Sequence, residues 1–257
     1  GFPATLEACA AATAQRDAMT IPIRVRRVAV LAPMPSELRP LIDLLGLRRP
    51  RVGQGDLWSG AAGRVAVVAT TTGIGTQAAR RAAERVLDAS AVDHLVVVGV
   101  AGGIGPSVDI GDLVVPERVV DLSSGIGYAH RPIGGTASRG TLATSDELIV
   151  DPEKAARLER QGVIAVDMET AAIAAVCERR GCPWSVFRAI SDRADDASTD
   201  PAIFGLAGPD GRPNLMAVAR FVLTTPGRIP QLVRLARGLN LATHAAAEAA
   251  VGALEAM

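Results

Sequence analysis

Leu95-Val96-Val97-Val98-Gly99-Val100-Ala101-Gly102-Gly103-Ile104-Gly105-Pro106 is the stretch on which the fold turns. Leu95 to Val100 is a short, nearly continuous apolar run, the pattern of a strand buried on both faces. It runs into glycines, which invites a dinucleotide-binding reading. That reading fails in detail: GxGxxG is absent, and Gly105-Pro106 leads into another strand and not into a helix. A buried strand ending in small residues remains, without the cofactor signature.

Working outward, Val25 to Ala32 is a second buried strand, followed by a helix over Ser36–Leu45 with Leu38, Leu41, Ile42 and Leu45 at helical spacing. Val65 to Thr70 is a strand that enters the turn Thr71 to Gly75, and a helix runs from Thr76 to Asp88. Gly111 to Val120 reads as one strand, Asp121 to Gly140 as polar loop or sheet edge, and Asp146 to Gln161 as a helix interrupted near Pro152. A short strand at Val163–Val166 precedes a strong helix over Met168–Arg180, ended by Gly181. Trp184 to Ile190 is a strand and Asp192 to Pro213 a polar loop. Helices follow over about Asn214–Leu223, Ile229–Gly238 and Asn240 to the end. Strands alternating with helices predict an α/β fold: a single domain with a central mixed, mostly parallel twisted sheet flanked by helices. The domain is expected to span 25–257. Residues 1–24 are read as an N-terminal extension, since the chain opens on Gly1 and Met19 stands just ahead of the first strand.

Composition narrows the function. The 257 residues are 49% hydrophobic and 21% charged, an ordinary globular balance. Lys plus Arg and Asp plus Glu are both 27, so net charge supplies no attraction to nucleic acid. Aromatics are 3%, too few for a surface that stacks successive bases. Three cysteines (Cys9, Cys177, Cys182) without CxxC suggest neither a disulfide framework nor zinc, and fit a cytoplasmic protein. His94, His130 and His244 form no metal-ligand spacing, so no metal or other cofactor is expected. No apolar run reaches membrane-spanning length. GxSxG is missing, which removes the main signal for a serine hydrolase.

Three acids lie at or just beyond predicted strand ends, the edge where open α/β sheets bind ligands. Glu37 is five residues past Ala32, Glu169 opens the helix after Val166, and Asp192 follows Ile190 almost directly. The helix dipole should keep Glu169 ionised. Taken singly, each has an ordinary reading: a solvated first-turn acid for Glu37, Asp167 or Glu169, a cap for Asp192 or Ser191.

Together, four segments resemble the purine nucleoside and uridine phosphorylase superfamily: Ala32-Pro33-Met34-Pro35-Ser36-Glu37, Ala101-Gly102-Gly103-Ile104-Gly105-Pro106, Val166-Asp167-Met168-Glu169-Thr170-Ala171-Ala172 and Arg188-Ala189-Ile190-Ser191-Asp192. The pattern is most similar to the methylthioadenosine/S-adenosylhomocysteine nucleosidase branch and spans about Val25 to Asp196. The resemblance implies a nucleoside phosphorylase-like fold and cleavage of the N-glycosidic bond of a purine nucleoside. Its catalytic residues would be Glu37 as the base that activates water, Asp192 as the acid at purine N7, and Glu169 as the carboxylate on the ribose hydroxyls. Met168 would help hold the ribose, Ser191 would support Asp192, and Leu148 and Ile149 would line the base pocket, with Leu148 where the family has an aromatic. Thr72 would face the water or phosphate site. The same matching places Met34, Gly73, Ala101, Gly102 and Asp167 among the substrate-binding residues.

This division of labour has a physical basis. The bond breaks through an oxocarbenium-like state, so a carboxylate near the ribose stabilises developing charge. The purine leaves poorly as an anion, so an acid near N7 helps. Neighbouring carboxylates in a dry pocket push each other's pKa values apart.

Water is favoured as co-substrate because Pro33-Met34-Pro35-Ser36-Glu37 replaces the phosphorylases' arginine-bearing loop with an acid. Arg39, Thr72 and the Gly73 and Gly75 amides keep phosphate open as an alternative. Asp200 to Pro213 looks like an insertion, and the arginine-dotted region beyond it (Arg220, Arg228, Arg234, Arg237) resembles nucleosidase-like proteins encoded with hopanoid synthesis. A phosphorylase acting on a nucleoside with a bulky 5′ group is thus a second possibility, and a non-catalytic nucleoside-binding relative a third. The simpler reading of the last region is a core-facing stripe of Leu232, Leu235, Ala236 and Leu239 with solvated arginines opposite. The base is read as adenine, with a deaminated base as in futalosine hydrolases as the alternative. The resemblance also implies a homodimer.

Overall fold

The computed structural model describes residues 26–49, 57–193 and 224–257. Their elements run β1 (Arg27–Ala32), α1 (Pro35–Leu45), β2 (Trp58–Ala62), β3 (Val65–Thr71), α2 (Thr76–Ala89), β4 (His94–Gly103), β5 (Leu113–Val114), β6 (Arg118–Asp121), β7 (Gly127–Tyr128), β8 (Thr141–Thr144), α3 (Pro152–Arg160), β9 (Val163–Asp167), α4 (Thr170–Arg180), β10 (Trp184–Arg193) and, after a short 3₁₀ turn, α5 (Ile229–Glu255). The expected 1–24 extension lies outside the described residues, as does the region 194–223 with the proposed insertion, Arg220 and the helix over 214–223.

All ten strands form one mixed sheet, ordered β2-β3-β1-β4-β9-β8-β6-β7, with β10 beside β4 and β5 beside β10. The longest ladders, β1 with β3 and β4 with β10, are parallel. The alternation of side chains across the pleat divides the core. Val28, Val30, Val96, Val98, Phe187 and Ala189 face Leu38 and Leu41 of α1 and Ala242, Ala246 and Ala250 of α5. Ala29, Leu31, Leu95, Val97, Val186 and Ile190 face Ala79 and Ala83 of α2 and Ile173 and Val176 of α4. Helices thus cover both faces of the central strands.

One gap in this sheet matters. β1 pairs with β4 only as far as Val97, and β9 joins the same strand at Gly102–Gly103. Between them β4 offers backbone hydrogen-bonding groups at an edge that no strand covers. Buried backbone groups must find partners, and here side chains supply them.

Several expectations are corrected. Gly111–Val120 is two strands, because Pro116 lacks the N–H a continuous ladder needs. The helix expected from Asp146 starts at Pro152, where Asp151 caps the N–H of Glu153. Two strands went unread: Trp58–Ala62, which is small and half-exposed, and Thr141–Thr144, which follows a glycine-rich run. The last two helices are one, continuous through Gly238. The proposed stripe of Leu232, Leu235, Ala236 and Leu239 is not a core face: the leucines are half-buried and Ala236 is exposed. Burial begins with Gly238 and continues through Ala242, Ala246 and Ala250. Small residues there let the helix lie close to β10.

Candidate active site

Arg188 is the centre of the site. It lies on β10 between Val186 and Ile190, with no exposed surface. A guanidinium taken wholly out of water requires several polar partners. Nη2 donates to Asp167 Oδ2 at 2.6 Å and lies 3.3 Å from Glu169 Oε2. Nη1 lies 3.6 Å from Glu37 Oε2 and donates to the Val100 carbonyl at 3.2 Å. Nη2 also reaches Thr170 Oγ1 at 3.1 Å. Three carboxylates from three elements therefore converge on one cation.

Each carboxylate arrives by a different route. Pro35 starts α1, which places Glu37 in the first turn, but its side chain turns inward and is 1% exposed. Its Oε2 accepts the Val100 N–H at 2.7 Å, so Glu37 and Arg188 together occupy both backbone groups of Val100 in the sheet gap. Glu169 is the N-cap position of α4 but caps nothing with its side chain. Its Oε1 instead accepts the N–H of Gly75, at the start of α2, at 2.9 Å. Asp167 is the residue that serves the start of α4: its carboxylate accepts from Thr170 N at 3.2 Å and from the Thr170 hydroxyl, while Thr144 Oγ1 donates to it at 2.7 Å.

Burial dominates the electrostatics. It raises the Glu37 carboxyl to about 8, with Arg188 opposing the shift and Glu169 adding to it. Burial likewise raises Glu169 to about 7, against Arg188 and with Asp167. The expectation that the helix dipole keeps Glu169 firmly ionised is thus corrected: desolvation outweighs it. For Arg188, burial is overcome by Asp167, Glu169 and Glu37, and the charged form is favoured. A carboxyl raised by burial in a dry site is a stronger base once ionised than an exposed one.

Asp192 is placed by other means. It lies within β10, not beyond it, at an irregularity between Ile190 and Asp192 that re-aims the strand. Its Oδ1 accepts the Ser191 hydroxyl at 2.6 Å. A Cβ built on Gly102 would stand 3.8 Å from its Oδ2 and 3.9 Å from the Val166 carbonyl, so Asp192 overlooks the end of β4. A cavity of about 250 Å³ adjoins Ser191 and Asp192 under Arg234, Leu235 and Leu241 of α5.

Other expected positions divide. Thr72 is buried, its N–H donating to Ala32 O at 2.9 Å and its hydroxyl to Gly73 O at 2.6 Å. The Gly73 N–H donates to Pro33 O at 3.1 Å, which stitches this turn to the loop that carries Met34. Met34, Met168 and Leu148 are half-buried near these elements. Ile149 packs into a small cluster with Ile104, Ala143, Leu158 and Val163, and Ala101 lies in the core. Arg39 turns to solvent and pairs with Asp43 at 2.8 Å.

Sequence reasoning quoted Arg188 only as part of a motif. The signal was available: an arginine inside the apolar run Trp184–Ile190 predicts a buried cation with acidic partners. The backbone donors at Gly75 and Val100, and the hydroxyls of Thr144 and Thr170, had no comparable signal.

A family model described as the phosphorylase superfamily matches residues 27–137 and 129–224. The chain belongs to the phosphorylase superfamily. Among superfamily members, the 5′-methylthioadenosine/S-adenosylhomocysteine nucleosidase of Geobacillus thermodenitrificans is 30% identical over 204 residues, 67% of this chain and 86% of that relative. The nucleosidase of the same name from Anoxybacillus flavithermus is 29% identical over 203 residues, 66% of this chain and 87% of its own length. In structure, the Neisseria meningitidis 5′-methylthioadenosine/S-adenosylhomocysteine nucleosidase bound to methylthio-immucillin-A superposes with a TM-score of 0.68 at 21% identity, covering 90% of this chain and 100% of its own. Futalosine hydrolase of Helicobacter pylori gives 0.69 at 19% identity, covering 91% and 99%. These likenesses show the superfamily's fold.

Proposed function

We propose that the protein hydrolyses the N-glycosidic bond of an adenine-type nucleoside, with 5′-methylthioadenosine and S-adenosylhomocysteine as the first substrates to test. The observation that carries this reading is the Arg188 cluster, in which the two glutamates that matched the nucleosidase pattern from distant parts of the chain meet on one buried cation. Glu37 is the base that takes a proton from water. Glu169 holds the ribose hydroxyls and stabilises the positive charge that develops on the sugar. Asp192, oriented by Ser191, protonates or hydrogen-bonds purine N7, and Met168 packs against the ribose.

Water is the acceptor that the electrostatics support. A phosphate entering beside the Thr72–Gly75 turn would meet Glu37 and Glu169, and the Gly75 amide already serves Glu169. Arg188 is committed to Asp167, Glu169 and Val100. An anion there would have to displace the enzyme's own carboxylates.

No helix among the described residues is long and apolar enough to cross a membrane. Cys177 and Cys182 carry free thiols, which fits the reducing cytoplasm we assign to the protein. We assign a homodimer from the superfamily pattern.

The test is incubation with 5′-methylthioadenosine, S-adenosylhomocysteine, adenosine and inosine, with and without phosphate, following free base by chromatography. Base released equally without phosphate is the expected result. Release that requires phosphate would overturn the hydrolytic assignment.

A further inference from the structure

We propose that Gly99 is a positioning residue for the reaction: the lack of a side chain there is what allows the Glu37 carboxylate and the Arg188 guanidinium to meet over strand β4. This rests on the role given above to Glu37.

Gly99 interrupts the run of valines in β4, between Val98 and Val100, where a glycine weakens the ladder and has no packing value of its own. Its partner across the parallel β4–β10 ladder is Arg188. Residues opposite one another in parallel strands point to the same face, so the guanidinium folds over the Gly99 Cα. Glu37 enters the same space from the end of α1. A Cβ on Gly99 would overlap Glu37 Oε2, stand 2.5 Å from Arg188 Nη1 and stand 3.2 Å from Glu37 Cδ. The backbone at φ 157° also lies just inside the region that side chains disfavour.

The collision follows from what the two groups do. Glu37 Oε2 accepts from the Val100 N–H, and Arg188 Nη1 donates to the Val100 carbonyl. A carboxylate that reaches the amide of residue 100 along this uncovered edge must pass above residue 99. Both obstructed atoms are side-chain ends in a buried cluster, so a Cβ at 99 would displace Glu37 Oε2 and Arg188 Nη1 from the positions they hold there. Glycine at 99 therefore sets where the proposed base stands.

The experiment is Gly99→Ala alone and combined with Glu37→Asp, which withdraws the carboxyl by one methylene. We expect Gly99→Ala to lower kcat by about 10²-fold, the scale of a 1 Å misplacement, with KM little changed. The double variant should be more active than Gly99→Ala, although Glu37→Asp alone is impaired. A fold defect would make the double variant worse. Wild-type kcat in Gly99→Ala, or a double variant no more active than Gly99→Ala, overturns the proposal. A melting cycle keeps it testable if Gly99→Ala folds poorly. Gly99→Ala should lower Tm in the wild-type background and less with Glu37→Ala, because the nearer of the two obstructed groups is gone and only Arg188 Nη1 remains. Equal losses in both backgrounds would overturn it as well. If the wild type releases no base from any nucleoside, the functional reading fails, and the melting cycle still decides whether Glu37 is what Gly99 accommodates.

Discussion

Arg188 Nη2 donates to Asp167 Oδ2 over 2.6 Å, and both side chains are buried. This pair joins the end of β9, two residues ahead of Glu169, to the middle of β10, which carries Asp192. Removing one partner leaves the other charge in the interior without compensation, and the cost of breaking such a pair is about 3–5 kcal/mol. Asp167→Ala is therefore expected to lose about that much stability in urea unfolding. A loss below about 1 kcal/mol would return Asp167 to the substrate-binding role first expected for it.

Glu37→Gln keeps the shape of the side chain and removes the base. We expect kcat to fall by about 10²- to 10⁴-fold with KM retained, the range for losing a general base. Because burial raises Glu37 to about 8, the wild-type kcat/KM should rise with pH on a limb near that value, coupled to Glu169 at about 7. A pH profile of Glu37→Gln that retains this limb would assign it to another group.

The same groups contribute to the pH dependence of stability between 4.5 and about 8. In the folded state Glu37 and Glu169 hold protons up to about 8 and 7, whereas the ordinary value is 4.5. The native state then binds more protons than the unfolded state, and stability falls as pH rises through that window. Urea unfolding at pH 5 and pH 8 should show a smaller loss for Glu37→Gln than for the wild type. Equal losses would mean that Glu37 does not contribute.

His94 acts in the opposite direction. Burial lowers it from 6.5 to about 4, with Arg26, His130 and Arg131 adding to the effect, and its Nε2 lies 2.6 Å from Ser185 Oγ. The unfolded state binds a proton first as pH falls below 6.5, so stability declines down to about pH 4. His94→Gln should flatten that decline in unfolding measured between pH 7 and pH 4.5, and an unchanged slope would place the acid sensitivity elsewhere.

Gly238 is the point at which α5 meets the site. A Cβ there would overlap the Ser191 carbonyl and stand 3.2 Å from Ile110 Cγ2. Alanine gains about 1 kcal/mol of helix propensity over glycine, but overpacking against a backbone group costs about 1–3 kcal/mol. Gly238→Ala should therefore lower Tm. It should also reduce kcat, since Ser191 orients Asp192. A variant more stable than the wild type would show that the helix shifts freely.

The chain itself determined the strands and helices that stand on strong periodicity. β1, β3, β4, β10, α1, α2 and α4 are legible because their apolar spacing reports a buried face directly. The three acids were legible from their places after predicted strands, and the superfamily motifs by resemblance to known sequences. The strands Trp58–Ala62 and Thr141–Thr144 were not, because short or half-exposed strands depend on the neighbours they pair with. The tertiary structure alone decided that Arg188 is the hub and that Asp167 belongs to its support. It also decided that burial raises the Glu37 and Glu169 carboxyls well above their ordinary range. Spacing along a chain cannot report these properties, because desolvation and pairing depend on which groups are brought together in space. Residues 37, 99, 167 and 188 come from four separate elements and Glu169 from the N-cap of α4, and only closing the sheet around its gap brings the charged groups among them within a few ångströms.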